Sequence, residues 1–324
     1  MPLTLNEIRK PIEKEIEVFE EKFKESMRSS TPLLDRITHY IVKRKGKQIR
    51  PMFVFFAANV CGGINESTYR GAALVELLHT ASLVHDDVVD DAYERRGMFS
   101  INALWKNKIA VLVGDFLLAK GLLLSVENND HKLLQIVSDA VKQMSEGELL
   151  QIEKVRKLDI DEQVYYDVIR QKTASLIASC CACGAASAGL DEVKIQKMKL
   201  FGEHVGMAFQ IKDDLLDFSD SNTGKQKGID IKEKKITLPL IYAMKNADRK
   251  TKSYISGLIK NYSDNTEKVV EVIEFVKKNG GIEYATTKML EFQDKAFNLL
   301  EDFENSPSKT ALRQLVLFTT DRKY

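Results

Sequence analysis

The residues best suited to chemistry in this chain are its aspartates. Asp86, Asp87, Asp90 and Asp91 form one cluster, and Asp213, Asp214 and Asp217 repeat the Asp-Asp-x-x-Asp spacing far down the chain. At about 3.6 residues per turn, Asp86 and Asp90 share one helix face, as do Asp213 and Asp217. Either cluster alone could be a solvated helix end, where like charges at this spacing cost only tenths of a kcal/mol. Both, however, fall where a helix C-terminus favours cations. If the clusters faced one another, charges about 6 Å apart would repel by about 3 kcal/mol per pair at an effective dielectric of about 20, and a cation would have to neutralise them.

Oxygen donors of this kind suit a hard ion. Incomplete carboxylate shells with room for water and phosphate suit Mg²⁺ better than Ca²⁺. A glycosidase pair needs one acid and one base rather than two separate clusters. Cationic partners for an Mg²⁺-diphosphate lie close by: Arg95-Arg96-Gly97 follows the first cluster, and Gly46-Lys47-Gln48-Ile49-Arg50-Pro51 sets Lys47 and Arg50 three apart. Guanidinium groups grip phosphate oxygens bidentately. His79 lies two turns before Asp86 on the same face.

The elements that carry these residues read as helices: Leu5 to Met27, Leu33 to Lys43, Tyr69 to Val89, Leu104 to Val126, Leu133 to Leu158, Val164 to Ala188 and Val193 to Phe218. None of the six prolines lies between Pro51 and Pro239, which favours helix after helix. The fold class expected is all-α, in one domain over 1–324. The Tyr69–Val89 helix is apolar nearly all round and should be central and buried. Thr173 to Leu190 is uncharged but too rich in Ala, Ser, Gly and Cys for a membrane span, so it reads as a close-packed buried helix. Its Cys180, Cys181 and Cys183 point different ways on a helix, which argues against zinc. With 48 Lys and Arg against 47 Asp and Glu, the net charge is +1, so no nucleic-acid partner is expected. No signal or lipid-anchor motif is visible, and the cytoplasm is the default address.

In this order the motifs resemble those of the all-trans isoprenyl (polyprenyl) diphosphate synthases over most of the chain. The resemblance rests on Gly46-Lys47-x-x-Arg50-Pro51, His79, Asp86-Asp87-x-x-Asp90, Arg95-Arg96-Gly97, Lys172-Thr173, Gln210 with Asp213-Asp214-x-x-Asp217, and Lys225 with Gly228 to Asp230 and Lys235. One departure is Lys45-Gly46-Lys47 where the family has Gly-Gly-Lys; the binding pair is kept.

The resemblance implies a single-domain helical bundle of the isoprenoid-synthase type around a central cavity, with the two Asp motifs on facing helices. It implies three Mg²⁺ ions per active site, with Asp86, Asp90 and Asp213 as principal ligands and Asp87, Asp214 and Asp217 ligating directly or through water. Arg95, Lys172, Gln210, Lys225 and Lys235 would hold the allylic diphosphate (farnesyl or geranylgeranyl diphosphate), with Thr173 beside it. Lys47, Arg50, His79 and Arg96 would hold isopentenyl diphosphate. The segment from Lys225 to Lys235 would be a lid. Small residues at Ala81 and Ser82, just before the first motif, would leave a tunnel open for a long product, hexaprenyl to decaprenyl, of the kind used in quinone side chains. A homodimer is also implied, and a strongly apolar polyprenyl product would be released to the bilayer through transient membrane contact. A terpene cyclase shares the Asp-rich chemistry but needs no isopentenyl diphosphate site.

Overall fold

A computed structural model of the chain describes residues 3–43, 46–95, 97–157, 161–218 and 228–321. Sixteen α-helices are seen among them: α1 Leu5–Arg9, α2 Glu13–Ser26, α3 Pro32–Lys43, α4 Ile49–Cys61, α5 Glu66–Val89, α6 Ile101–Glu127, α7 His131–Lys157, α8 Glu162–Ile169, α9 Ser175–Ser187, α10 Glu192–Asp217, α11 Ile229–Lys232, α12 Leu238–Lys245, α13 Arg249–Asn261, α14 Thr266–Lys278, α15 Gly281–Leu300 and α16 Pro307–Thr320. The only strands among these residues are β1 (Glu94–Arg95) and β2 (Met98–Phe99), an antiparallel pair turned at Gly97, whose φ of 73° suits glycine. The fold is all-α, as the apolar periodicity predicts.

Two expected helices are interrupted. Leu5 to Met27 breaks into α1, a 3₁₀ turn over Lys10–Ile12 and α2, because Pro11 has no N–H to give the ladder. Val164 to Ala188 divides into α8, a π-helical turn over Arg170–Ala174 and α9. Such turns commonly mark functional sites.

The residues fall into two compact units. The first comprises Met1–Val141, Ser179–Lys199 and Asp302–Leu315. Its core includes Met27, Leu77, Ala81, Val84, Val113 and Leu117, all buried. α5 starts from a reciprocal cap, in which Asn65 accepts from the Thr68 N–H and Thr68 closes back on the Asn65 N–H. In α9, Gly184 meets α4 so closely that a Cβ would lie 2.4 Å from the Val54 carbonyl oxygen. The small residues of that run therefore serve close packing. Cys61, Cys180, Cys181 and Cys183 are free, buried thiols, and burial pushes Cys61 up to about 12.

The second unit comprises Lys142–Ala178, Leu200–Glu301 and Val316–Tyr324. Its core gathers α8, α10 and α12 to α15 around residues such as Ile211, Leu240, Ile259 and Val276.

α6 kinks at Lys106, whose φ of 71° and ψ of 161° belong to a region used almost only by glycine. Such strain costs about 1–3 kcal/mol, and glycine returns about 0.5–1 kcal/mol of that in backbone entropy. Lys106→Gly should therefore raise the melting temperature; a lower value would show that the exposed Lys106 side chain stabilises the kink.

Candidate active site

In the first unit, α5 ends at Val89, and the Asp90 N–H closes on the Asp86 carbonyl at 2.8 Å. Asp86 and Asp90 are exposed, whereas Asp87 is 2% exposed. The Arg95 Nε donates to Asp87 Oδ1 at 2.5 Å, and Asn102 donates to the Asp87 and Ala92 carbonyls at 3.0 and 3.2 Å. The first motif and strand β1 are thereby clamped together, with Arg95 held on Asp87. Arg50, in the first turn of α4, donates from Nε to Glu76 of α5 at 2.6 Å and from Nη2 at 3.3 Å. Lys47 is exposed, and His79 is half-buried on α5. Ala81 is wholly buried in the core, while Ser82 is half-buried with its hydroxyl on the His79 carbonyl at 2.9 Å. Arg96 lies outside the described residues.

The second motif has the same plan. Asp213 is exposed, Asp217 half-buried and Asp214 only 4% exposed. Both oxygens of Asp214 are engaged: the Tyr165 hydroxyl donates to Oδ2 at 2.6 Å and the Gln210 Nε2 to Oδ1 at 2.8 Å. Gln210 in turn accepts from the Thr173 hydroxyl at 2.9 Å. Asp217 receives the N–H groups of Ile229 and Asp230 at 2.9 and 3.1 Å, so it orients the short helix α11. Lys235 bonds Glu233 at 2.5 Å, and Lys172 pairs with Glu148. Lys225 lies outside the described residues.

Lys172 and Thr173 occupy the π turn, which glycines bring close to its neighbours. A Cβ on Gly147 of α7 would lie 2.8 Å from the Lys172 nitrogen, and one on Gly206 of α10 would lie 2.4 Å from the Ala174 Cα. Neither position accepts a larger residue unless backbone moves.

The carboxylates of this unit are electrostatically uncomfortable. Burial, then the charge of Asp230, raises Asp214 to about 8 against the opposing bonds from Tyr165 and Gln210. Burial and the charge of Asp217 raise Asp230 to about 7, and burial raises Asp217. For Lys235, burial pulls the pKa down, but the Glu233 bond outweighs it and the net direction is up. Because Asp214 and Asp230 lie above their unfolded values near about 4, they favour the fold when protonated. Their contribution is complete below about pH 4 and is lost as pH rises through about 7 for Asp230 and about 8 for Asp214. The melting temperature of the metal-free protein should therefore fall between pH 5 and 8 (a range of about this width), and Asp214→Asn should flatten the slope; an unchanged slope would contradict the assignment.

Among the described residues no three His, Cys, Asp or Glu side chains converge as a ready-made metal cage. The donors are nonetheless hard oxygens, and Mg²⁺ is normally held by one or two carboxylates, with phosphate and water completing its shell. The exposed acids of each motif fit an ion that arrives with a diphosphate.

Tyr165, Glu76 and Glu148 are absent from the sequence-derived site, and Asp230 enters it only as the end of the Gly228 to Asp230 run, without a role. Tyr165 has a signal, since it precedes Lys172 by two turns; Glu76 and Glu148 sit among ordinary helix charges. Tyr165→Phe leaves a buried carboxylate oxygen short of a donor, a loss of about 1–3 kcal/mol, read as a lower melting temperature. An unchanged value would show that water replaces the hydroxyl.

Comparisons with known proteins show the family and the fold. The Polyprenyl synthetase family pattern matches residues 31–276. An all-trans-nonaprenyl-diphosphate synthase (geranyl-diphosphate specific) of Rhodobacter capsulatus is 35% identical over 98% of this chain and 97% of its own length. Among solved structures, a decaprenyl diphosphate synthase from Rhodobacter capsulatus superposes with a TM-score of 0.93 at 30% identity, covering 99% of this chain and 100% of that one. A polyprenyl synthase from Caulobacter crescentus CB15, complexed with calcium and isoprenyl diphosphate, gives 0.90 at 30% identity, covering 100% and 99%.

Proposed function

Because the chain belongs to the polyprenyl synthetase family, we propose that it is an all-trans polyprenyl diphosphate synthase, a prenyltransferase that condenses isopentenyl diphosphate head to tail onto an allylic diphosphate. One observation carries the assignment of roles: each Asp motif exposes its first acid and buries its middle one against a clamp.

Asp86, Asp90 and Asp213 would hold Mg²⁺, three ions per site, with Asp87, Asp214 and Asp217 as further ligands directly or through water. When bound, the ions neutralise the carboxylates and the charge growing on the leaving diphosphate. Asp87 and Asp214 also fix Arg95 and Gln210 through their hydrogen bonds. Arg95, Lys172, Gln210, Lys225 and Lys235 bind the allylic diphosphate with Thr173 alongside, and Lys47, Arg50, His79 and Arg96 bind isopentenyl diphosphate. Arg95, Lys172, Lys225 and Lys235 stabilise the oxygen left when the allylic C–O bond ionises. The alkene of isopentenyl diphosphate attacks the allylic cation, and the proton then lost goes to the released diphosphate. No side-chain nucleophile takes part. The 225–235 segment, whose residues before Gly228 lie outside the described ones, would exclude water as a lid.

The product is a long chain, hexaprenyl to decaprenyl, for quinone side chains, grown on farnesyl or geranylgeranyl diphosphate. α6 presents Val111, Leu112, Leu122, Leu123 and Val126 to solvent and is long and apolar enough, by composition, to cross a bilayer. We assign that stripe to a second copy of the chain, making a homodimer in the cytoplasm that touches the membrane only to release product. Incubation with an allylic diphosphate, with and without isopentenyl diphosphate, tests the reading. Chain growth that requires both supports it, and a cyclic hydrocarbon from the allylic substrate alone refutes it.

A further inference from the structure

Lys172 already has an anionic partner within its own unit. Glu148 pairs with its ammonium, and Gln151 on the same helix accepts from it at 3.4 Å. The contact is built into the packing, because Gly147, immediately before Glu148, lets α7 approach the π turn to within what a Cβ would fill. Both charged side chains are 36% exposed, so a ligand can reach them and the pair is easily exchanged. The same carboxylate also bears on Lys235, whose pKa it helps to raise. Glu148 is thus paired with Lys172 and acts by its charge on Lys235, two of the three lysines assigned to the allylic diphosphate, where a carboxylate would repel that ligand.

We propose that Glu148 is a resident counter-ion, displaced from Lys172 when a diphosphate binds and returning to it when diphosphate leaves, so that it weakens retention and speeds emptying of the site. The proposal rests on Lys172 being a diphosphate ligand. An ammonium stripped of its partner would hold the leaving group longer than turnover allows, and a returning carboxylate competes for the same donors as diphosphate departs.

Calorimetric titration of the full chain with inorganic diphosphate, at fixed Mg²⁺, tests this. Glu148→Gln keeps the shape and removes the charge. It should tighten binding by about five- to tenfold, the size of ordinary coupling between sites. Lys172→Ala should weaken binding, and in the double variant the gain from Glu148→Gln should disappear. In steady state, Glu148→Gln should lower both KM for the allylic substrate and kcat, a split that a merely structural residue would not produce. Glu148→Ala provides the same reading should the glutamine variant fold poorly. Weaker or unchanged diphosphate binding in the Glu148 variants, with Lys172→Ala still weakening it, overturns the proposal. Wild-type affinity in Lys172→Ala would instead remove the premise that Lys172 binds diphosphate.

Discussion

Asp213→Asn is expected to lower kcat/KM by about 10²–10³ or more, the scale of losing one preorganised charge-stabilising group, without lowering the melting temperature of the metal-free protein. The reason lies in the two environments within one motif. Asp213 is exposed at the end of α10 and adds to the negative charge felt by Asp214, Asp217 and Asp230. Its removal relieves repulsion in the unliganded state while deleting an oxygen that the metal-diphosphate needs. Asp86→Asn should behave alike. Asp214→Asn separates the roles: the neutral amide suits its buried position, so stability at neutral pH is kept or raised, and activity falls through Gln210 and Thr173. A measured kcat/KM within about threefold of wild type for Asp213→Asn, well inside the effect of any such group, would mean that the exposed acids are not ligands.

The second large effect concerns product length. Ser82→Phe should move the products from long chains to farnesyl- or geranylgeranyl-length ones, seen by chromatography of the dephosphorylated alcohols. Ser82 is four residues before Asp86 and so on the same face of α5 as His79. Its hydroxyl bonds only the carbonyl one turn back, so its replacement breaks no tie between helices. Ala81→Phe should shorten the product too, but Ala81 is wholly buried in the core. A phenyl group there overpacks the core at about 1–3 kcal/mol, so shortening should come with a lower melting temperature. Unchanged chain length in both variants would remove α5 from chain-length control.

Much of this organisation is legible in the residues themselves. α5, α6, α7 and α10 follow from apolar periodicity to within a few residues, because each carries apolar residues at helical spacing over several turns. Burial of Asp87 and Asp214 is not legible, since Asp-Asp-x-x-Asp writes its acids alike while their surroundings come from Arg95, Tyr165 and Gln210. Nor is the π turn: Arg170-Gln171-Lys172-Thr173-Ala174 contains no Pro or Gly, and the glycines that accommodate it, Gly147 and Gly206, lie on other helices. The partners Glu76 and Glu148 look in sequence like any solvated helix charge; only packing shows that they pair with Arg50 and Lys172.

Chain elongation at the two Asp motifs can be read by incubating the purified protein with Mg²⁺, labelled isopentenyl diphosphate and farnesyl diphosphate, then sizing the labelled products. The expected result is a ladder of all-trans prenyl diphosphates ending in a long chain, abolished by chelating the metal and by Asp86→Asn or Asp213→Asn. No incorporation of label, or incorporation that survives loss of either aspartate, would contradict it.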